Sequence, residues 1–213
     1  MNPGAPPSFS ERVNIDGPAG PLQSIVEDLG AATTGIAVVC HPHPLYGGTM
    51  DNKVVVTVAR ALQEAGISTV RFNFRGVGTS AGVYDAGSGE TLDAEAVADW
   101  AALRWPGKPL VSAGFSFGSY IALKLALSRA AARLFTIAPA VSRFDFTGLQ
   151  RPDCPWLVVQ GDADEVIDAR LVIDWAQRLR PAPHLVVLPG VGHFFHGKLG
   201  ELKQAILSEI RSG

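Results

Sequence analysis

Short apolar runs alternate with amphipathic segments along most of the chain. Six mostly apolar runs predict buried strands at residues 36–40, 68–74, 109–113, 133–138, 156–160 and 184–188. Between them, apolar residues recur with helical spacing and predict helices within 54–62, 92–103, 119–127, 171–179 and 199–210. Strands of this kind that alternate with amphipathic helices are typical of an α/β fold, in which a mostly parallel, twisted sheet carries helices on both faces.

The N-terminal region has a different pattern. Residues 12–15 and 22–26 are strand-like runs on either side of Asp-Gly-Pro-Ala-Gly, which is typical of a turn. They predict an antiparallel hairpin at one edge of the sheet. Residues 1–10 are rich in proline and serine and are predicted to form a flexible N-terminus, which leaves residues 11–213 as a single α/β domain.

The amino-acid composition limits the kinds of binding partner and the cellular compartment that the sequence predicts. Of the 213 residues 47% are hydrophobic, and the formal net charge is −2 with no basic stretch, which argues against nucleic acid or an anionic membrane as partner. The N-terminus has neither the basic region nor the apolar core of a secretory signal, and no apolar run approaches the length of a membrane span. Cys40 and Cys154 are expected to be reduced, so the sequence predicts a cytoplasmic protein.

One serine lies between a predicted strand and a predicted helix. In Gly114-Phe115-Ser116-Phe117-Gly118, the serine is at the apex of the turn that joins the apolar run 109–113 to the helical segment 119–127. A strand, a tight turn with serine at its apex and a helix form the setting of a nucleophile elbow. The turn crowds the residues two positions away on each side, so only glycine is expected to fit there.

A second segment, Gly78-Thr79-Ser80-Ala81-Gly82, fits the same pattern and also follows a predicted strand. The residues after it, 83–89, are typical of a loop and do not begin a helix. No helix N-terminus is therefore expected to point at Ser80, and we interpret it as a loop residue.

A serine nucleophile needs a base, which is usually histidine because its pKa lies near neutral pH. His193 follows the last predicted strand across a short loop, which places it at the carboxyl edge of the sheet with Ser116. His196 is the alternative, whereas His184 begins a strand and belongs to the opposite edge. We therefore predict His193 as the base.

The base in turn needs a carboxylate that fixes its tautomer. Asp164 is four residues past the strand 156–160 and is predicted to reach across the loop, with Asp162 as its main rival. Asp168 is predicted to cap the following helix.

Two backbone N–H groups are expected to stabilise the negative charge that develops on the substrate carbonyl. The first is that of Phe117, directly after the serine. The second should come from the loop at 41–48, where His43 is the predicted donor because the residues on both sides of it are prolines without an N–H. Leu45 and Tyr46 are the alternative donors.

The same loop offers a different interpretation, in which His41 and His43 bind a metal ion. Zinc sites use three or four protein ligands, and no Asp-His pair follows within a few residues. We therefore predict no metal and no cofactor.

Three segments together carry a family resemblance: the serine turn, His41-Pro42-His43-Pro44 with the sequence 47–53, and the Arg-Gly loop within 72–82. With them the chain resembles an α/β-hydrolase over its length after residue 10, and more narrowly a branch of small, uncharacterised bacterial hydrolases. The order Ser116, Asp164, His193 is the order of that superfamily's catalytic triad. The superfamily usually has glycine where this chain has Pro42.

Many α/β-hydrolases carry a cap after the sixth strand, but here residues 139–155 leave room only for a short connection. We expect an open, shallow site without a cap domain. The predicted substrate-binding side chains are those of Leu45, Tyr46, Phe115 and Phe144.

An open site excludes water poorly, so the sequence favours small or short-chain esters. The predicted function is a serine carboxylesterase that forms an acyl-enzyme with a small-molecule ester. One alternative is a thioesterase or peptidase that uses the same triad. The other is a binding module without catalysis on a hydrolase scaffold.

Overall fold

An eight-stranded sheet lies at the centre of the computed structural model, which describes residues 9–146 and 148–212. In chain order the strands are β1 (Phe9–Gly17), β2 (Gly20–Asp28), β3 (Gly35–Cys40), β4 (Ile67–Phe72), β5 (Leu110–Phe115), β6 (Arg133–Ile137), β7 (Trp156–Gly161) and β8 (His184–Leu188). The helices are α1 (Lys53–Glu64), α2 (Ser88–Arg104), α3 (Phe117–Ser128), α4 (Ala169–Arg178) and α5 (Leu199–Ser212). The order across the sheet is β1-β2-β4-β3-β5-β6-β7-β8.

The strands from β3 to β8 are parallel, and the hairpin β1–β2 extends the sheet with antiparallel strands at one edge. This confirms the predicted fold class. The hairpin begins earlier than predicted, because Phe9 already pairs with Asp28 and both Phe9 and Ser10 belong to β1. The rest of the predicted flexible N-terminus, residues 1–8, lies outside the described residues.

Both faces of the sheet are buried, which explains why its strands are almost continuously apolar. Ala37 and Val39 of β3 pack in the cluster that includes α1 and α5. Ile36 and Val38 point to the opposite face and pack with α2 and α3, while α4 covers that same face farther along the sheet. Each fully buried aliphatic side chain contributes roughly 1.5–3 kcal/mol of transfer free energy, so both faces favour apolar residues.

Strand β4 ends at Phe72, two residues earlier than predicted. The Asn73 N–H still donates to the Gln23 carbonyl, in register with β2. The Phe74 N–H donates instead to Nε2 of His41, so the backbone leaves the sheet at this residue and enters the loop that contains Ser80.

The parallel strands all have their carboxyl ends at the same edge of the sheet. The loops after β3, β5, β7 and β8 therefore meet there. The described residues of the connection from β6 to β7, residues 138–155, form turns and no helix or strand, so no cap covers this edge.

Among the described helices, none combines the length and the apolar character needed to cross a membrane.

Candidate active site

Ser116 forms the turn between β5 and α3 in a strained backbone conformation, with φ 55° and ψ −115°. Such conformations cost a non-glycine residue about 1–3 kcal/mol. The turn persists because its two glycines allow close packing: a Cβ on Gly114 would overlap the carbonyl oxygen of Gly118, and one on Gly118 would overlap that of Cys40. Both glycines of the pentapeptide are thus required by contact with the neighbouring backbone.

Ser116, His193 and Asp164 form a continuous line of hydrogen-bonded side chains. The Oγ of Ser116 is 3.0 Å from Nε2 of His193, and Nδ1 of His193 is 2.8 Å from Oδ2 of Asp164. The side chains of His193 and Asp164 are 3% and 0% exposed. Because Nδ1 faces a carboxylate, it carries the ring proton of a neutral imidazole, and Nε2 is left as the acceptor for the serine proton.

Asp164 is held as a carboxylate by the loop around it. Its Oδ1 accepts the N–H groups of Val166 and Ile167 at 2.9 and 2.8 Å, and Oδ2 also accepts from Nε2 of Gln160 at 3.0 Å. Burial by itself would raise the pKa of Asp164. The hydrogen bonds from His193, Ile167 and Gln160, together with the charge that His193 carries when it is protonated, outweigh burial, and the pKa of Asp164 is lowered from its ordinary value.

The rival carboxylates have other partners. Asp162 accepts the Gly190 N–H at 2.6 Å on the exposed side of the loop. Asp168 accepts the Arg170 N–H at 2.9 Å and caps the start of α4, as predicted. The structure therefore brings Asp164, and not Asp162, to His193. The alternative base, His196, is exposed, and its nearest ring neighbour is Phe194 at 5.9 Å.

A neighbouring glutamate supports the histidine from the backbone side. The His193 N–H donates to Oε2 of Glu165 at 3.1 Å, which ties the loop after β8 to the loop after β7. This contact was not predicted from the sequence, where only Asp164, Asp162 and Asp168 were assigned roles among the acidic residues after β7.

Phe115 does not line the site, contrary to the prediction that it binds substrate. Its side chain is fully buried in the cluster with α1 and α5, and its ring lies beneath that of His193, with 5.0 Å between centroids. The reason is strand geometry: Phe115 ends β5 and faces the core on the side away from the cavity. Its contribution is to pack against the histidine.

Ser80 has a structural role, as the sequence analysis inferred. Its Oγ donates to the Asn73 carbonyl at 2.7 Å and accepts the Gln23 N–H at 2.9 Å. The side chain is buried, and its two hydrogen bonds tie the loop to β2 and to the residue that follows β4.

His41 is also fully engaged within the protein. Its Nδ1 lies 2.6 Å from the Pro42 carbonyl, and its Nε2 accepts the Phe74 N–H at 3.0 Å. Complete burial is the main cause that lowers the pKa of His41 to about 3, so the ring is neutral. Both ring nitrogens are used, which leaves no lone pair for a metal ion.

The two predicted N–H donors lie on segments that pack against each other. Phe117 begins α3, whose first turn contacts the end of β3, and the rings of His43 and Phe117 are 5.2 Å apart. The His43 carbonyl accepts the N–H groups of Tyr46 and Gly48, both at 3.1 Å. The N–H groups of His43 and Phe117 themselves have no acceptor within the described part of the chain.

An open cavity of about 600 Å³ lies over Ser116. Its wall contains two of the predicted substrate-binding residues, Tyr46 and Phe144. Leu45 is 67% exposed and stands outside the lining. The complete lining is His43, Tyr46, Tyr84, Ser116, Phe117, Ala140, Arg143, Phe144, Val166 and Ile167.

Tyr84, Arg143 and the aliphatic residues of this wall were not among the substrate-binding residues predicted from the sequence. Tyr84 belongs to the loop after the second Gly-x-Ser-x-Gly segment, which has no periodic pattern. A signal was nevertheless available, since a loop after a parallel strand reaches the carboxyl edge of the sheet where ligands bind.

The sequence of this chain is similar to those of known proteins. Residues 33–151, more than half of the chain, match the family model described as serine aminopeptidase, S33. An uncharacterized protein of Rickettsia prowazekii is 36% identical over 205 residues, and the match covers 92% of this chain and 86% of the relative.

Two solved structures are similar over nearly the whole length. A serine hydrolase without a lid from Xanthomonas campestris has 47% sequence identity and a TM-score of 0.91, with 99% of this chain and 97% of that chain covered. A serine hydrolase homologue from Coxiella burnetii has 44% identity and a TM-score of 0.89, with 93% and 96% covered.

Proposed function

Because the chain belongs to the α/β serine hydrolase family that the serine aminopeptidase S33 model describes, we propose that it is a carboxylesterase for small or short-chain esters. The observation that carries the proposal is the line of hydrogen bonds from Ser116 through His193 to Asp164, at 3.0 and 2.8 Å. It begins at a serine exposed to the cavity and ends at a buried carboxylate.

In the first half of the reaction, Oγ of Ser116 attacks the ester carbonyl while Nε2 of His193 accepts its proton. Asp164 stabilises the imidazolium that forms, and it does not itself take the proton. The N–H groups of Phe117 and His43 are proposed to bind the oxygen that becomes negatively charged.

In the second half, the tetrahedral intermediate collapses, the C–O bond to the alcohol breaks, and His193 returns its proton to the leaving oxygen. The acyl group is then bound to Ser116. Water, which gives a proton to His193, attacks this acyl-enzyme to form a second tetrahedral intermediate. The bond from the acyl carbon to Oγ of Ser116 then breaks, His193 returns the proton to Oγ, and the carboxylic acid is released.

The open cavity supports small esters as substrates. Its volume of about 600 Å³ is in the range of small-molecule sites, and the described residues between β6 and β7 add no cap that would enclose a long acyl chain. Peptides are a second candidate class of substrate, because the matched family model is described as a serine aminopeptidase.

A substrate panel separates these candidates. The purified protein is assayed with p-nitrophenyl esters from acetate to laurate, with a thioester, and with amino-acid p-nitroanilides. The proposal predicts the highest kcat/KM for acyl chains of two to about six carbons. Turnover confined to the anilides would replace the esterase with a peptidase, and turnover of none would favour a binding protein.

A further inference from the structure

His43 has a defined tautomer, although it titrates in the neutral range when free. Its Nδ1 accepts the Leu45 N–H at 3.2 Å, and its Nε2 is 3.1 Å from the hydroxyl oxygen of Tyr84. Burial is the main cause that lowers the pKa of His43, which keeps the ring neutral. A neutral imidazole has one donor and one acceptor, so Nε2 carries the proton and donates it to Tyr84.

The tautomer of His43 makes the Tyr84 hydroxyl oxygen an acceptor towards the histidine ring. Because its oxygen accepts from His43, the hydroxyl hydrogen is not used in that bond and can be donated to another acceptor. No such acceptor exists within the described part of the chain. Tyr84 lines the cavity that contains Ser116, so its free hydrogen is available to a bound molecule.

The loop that carries Tyr84 is held by a buried carboxylate. Glu90 is completely buried, and its two oxygens accept the N–H groups of Asp85 and Gly87 at 2.8 and 2.7 Å. The Tyr84 ring also packs against His43, with 4.8 Å between centroids. The hydroxyl is therefore positioned before a substrate binds.

Tyr84 also remains a donor at neutral pH. Burial, followed by the charge of Glu90, raises the pKa of the phenol above its ordinary value. Around it the cavity wall combines apolar side chains, Phe144, Val166 and Ile167 among them, with the polar side chains of Tyr46 and Arg143. The donors of this wall are therefore few, and a donor held in a fixed position discriminates between ligands that place an acceptor opposite it and those that do not.

We propose that the Tyr84 hydroxyl donates a hydrogen bond to an oxygen of the substrate outside the reacting ester group, and that the cavity thereby selects oxygen-bearing esters over plain alkyl esters. The inference rests on the proposed esterase function and names its substrate class. The ester carbonyl is already assigned to the two backbone N–H groups, so the acceptor for Tyr84 is an ether, keto or hydroxyl oxygen elsewhere on the ligand.

The test uses pairs of esters of matched shape. On the acyl side, p-nitrophenyl methoxyacetate is compared with p-nitrophenyl butyrate. On the alcohol side, 2-methoxyethyl acetate is compared with butyl acetate. In each pair an ether oxygen replaces one methylene group. The ratio of kcat/KM within a pair is measured for wild type and Tyr84→Phe, so differences in intrinsic reactivity cancel.

The expected result is that Tyr84→Phe lowers the ratio roughly five- to tenfold in one of the two series, the effect of one hydrogen bond. The series that responds tells which side of the ester faces Tyr84. Tyr120→Phe is the matched control: Tyr120 stacks on Phe144 at 5.3 Å but does not line the cavity, so the wild-type ratio should persist.

An unchanged ratio in both series would overturn the proposal. So would an equal loss for both members of a pair, up to complete loss, because the proposal confines Tyr84 to binding the additional oxygen. Binding of the same esters to Ser116→Ala, with and without Tyr84→Phe, is measured by titration calorimetry. This comparison tests Tyr84 even if wild type hydrolyses none of the esters, which would be a failure of the proposed function alone.

Discussion

The carbonyl oxygen of Gly118 occupies the space that a Cβ on Gly114 would need. The two glycines are four residues apart, and their contact forces Ser116 to the apex of the turn with a positive φ. The serine conformation and the close packing of α3 on β5 are therefore two consequences of one contact.

Gly114→Ala is expected to destabilise the protein by about 3 kcal/mol or more and to abolish turnover, because the backbone of α3 must move away from β5. Gly200→Ala is the control, since nothing lies within 4 Å of a Cβ there and alanine favours the helix α5. Urea denaturation and ester hydrolysis provide the measurements. Full activity in Gly114→Ala would contradict the packing explanation.

Asp164→Asn is expected to reduce kcat by about 10⁴-fold, because the amide no longer fixes the His193 tautomer or stabilises the imidazolium. Asp162→Asn should stay within about threefold of wild type, since that side chain bonds only to the Gly190 N–H in its described surroundings. Steady-state kinetics on one short-chain ester decides between them. A larger loss of kcat in Asp162→Asn than in Asp164→Asn would show that Asp162, and not Asp164, is the acid of the triad.

Glu165→Ala is expected to lower kcat roughly five- to tenfold and leave KM nearly unchanged, because the His193 N–H loses its acceptor and the ring is less well positioned. Glu201→Ala removes a glutamate that pairs with Lys198 at the start of α5, so it controls for charge. A rise in KM without a fall in kcat would instead place Glu165 in substrate binding.

Acid should destabilise the protein partly through His41. In the unfolded chain this histidine binds a proton below its ordinary pKa of 6.5, whereas in the folded protein it stays neutral until about pH 3. The unfolded state therefore binds more protons, and the His41 contribution is complete above pH 6.5 and is lost as the pH falls towards 3. The loss is at most about 1.4 kcal/mol per pH unit.

His41→Gln is expected to be less stable than wild type at pH 7 and to lose less stability between pH 6.5 and 4.5. His196→Gln, an exposed loop substitution, should follow the wild-type profile. The free energy of unfolding in urea, measured at four pH values, provides the comparison. Parallel profiles for wild type and His41→Gln would show that His41 does not contribute to acid sensitivity.

The sequence was sufficient for the features that depend on periodicity. Apolar runs located the strands from β3 to β8 to within two residues at each end, and the order of strands and loops places Ser116, Asp164 and His193 at one edge of a parallel sheet. The structure brings these three side chains within hydrogen-bond distance.

Features that depend on local backbone direction were not predictable in this way. Phe115 is adjacent to the serine, yet it faces the core because side chains alternate along β5. Tyr84 reaches the cavity from a loop that has no periodic pattern and that Glu90 holds through two backbone N–H groups. The exposure of Leu45 likewise follows from the turn at Pro44–Tyr46.

The central claim is that Ser116, and not Ser80, is the nucleophile. A fluorophosphonate reacts with an activated serine without requiring knowledge of the substrate, and mass spectrometry of the digested protein locates the adduct. We predict one adduct on the peptide with Ser116 in wild type and Ser80→Ala, and none in Ser116→Ala. An adduct on Ser80, or labelling that survives in Ser116→Ala, would contradict the account.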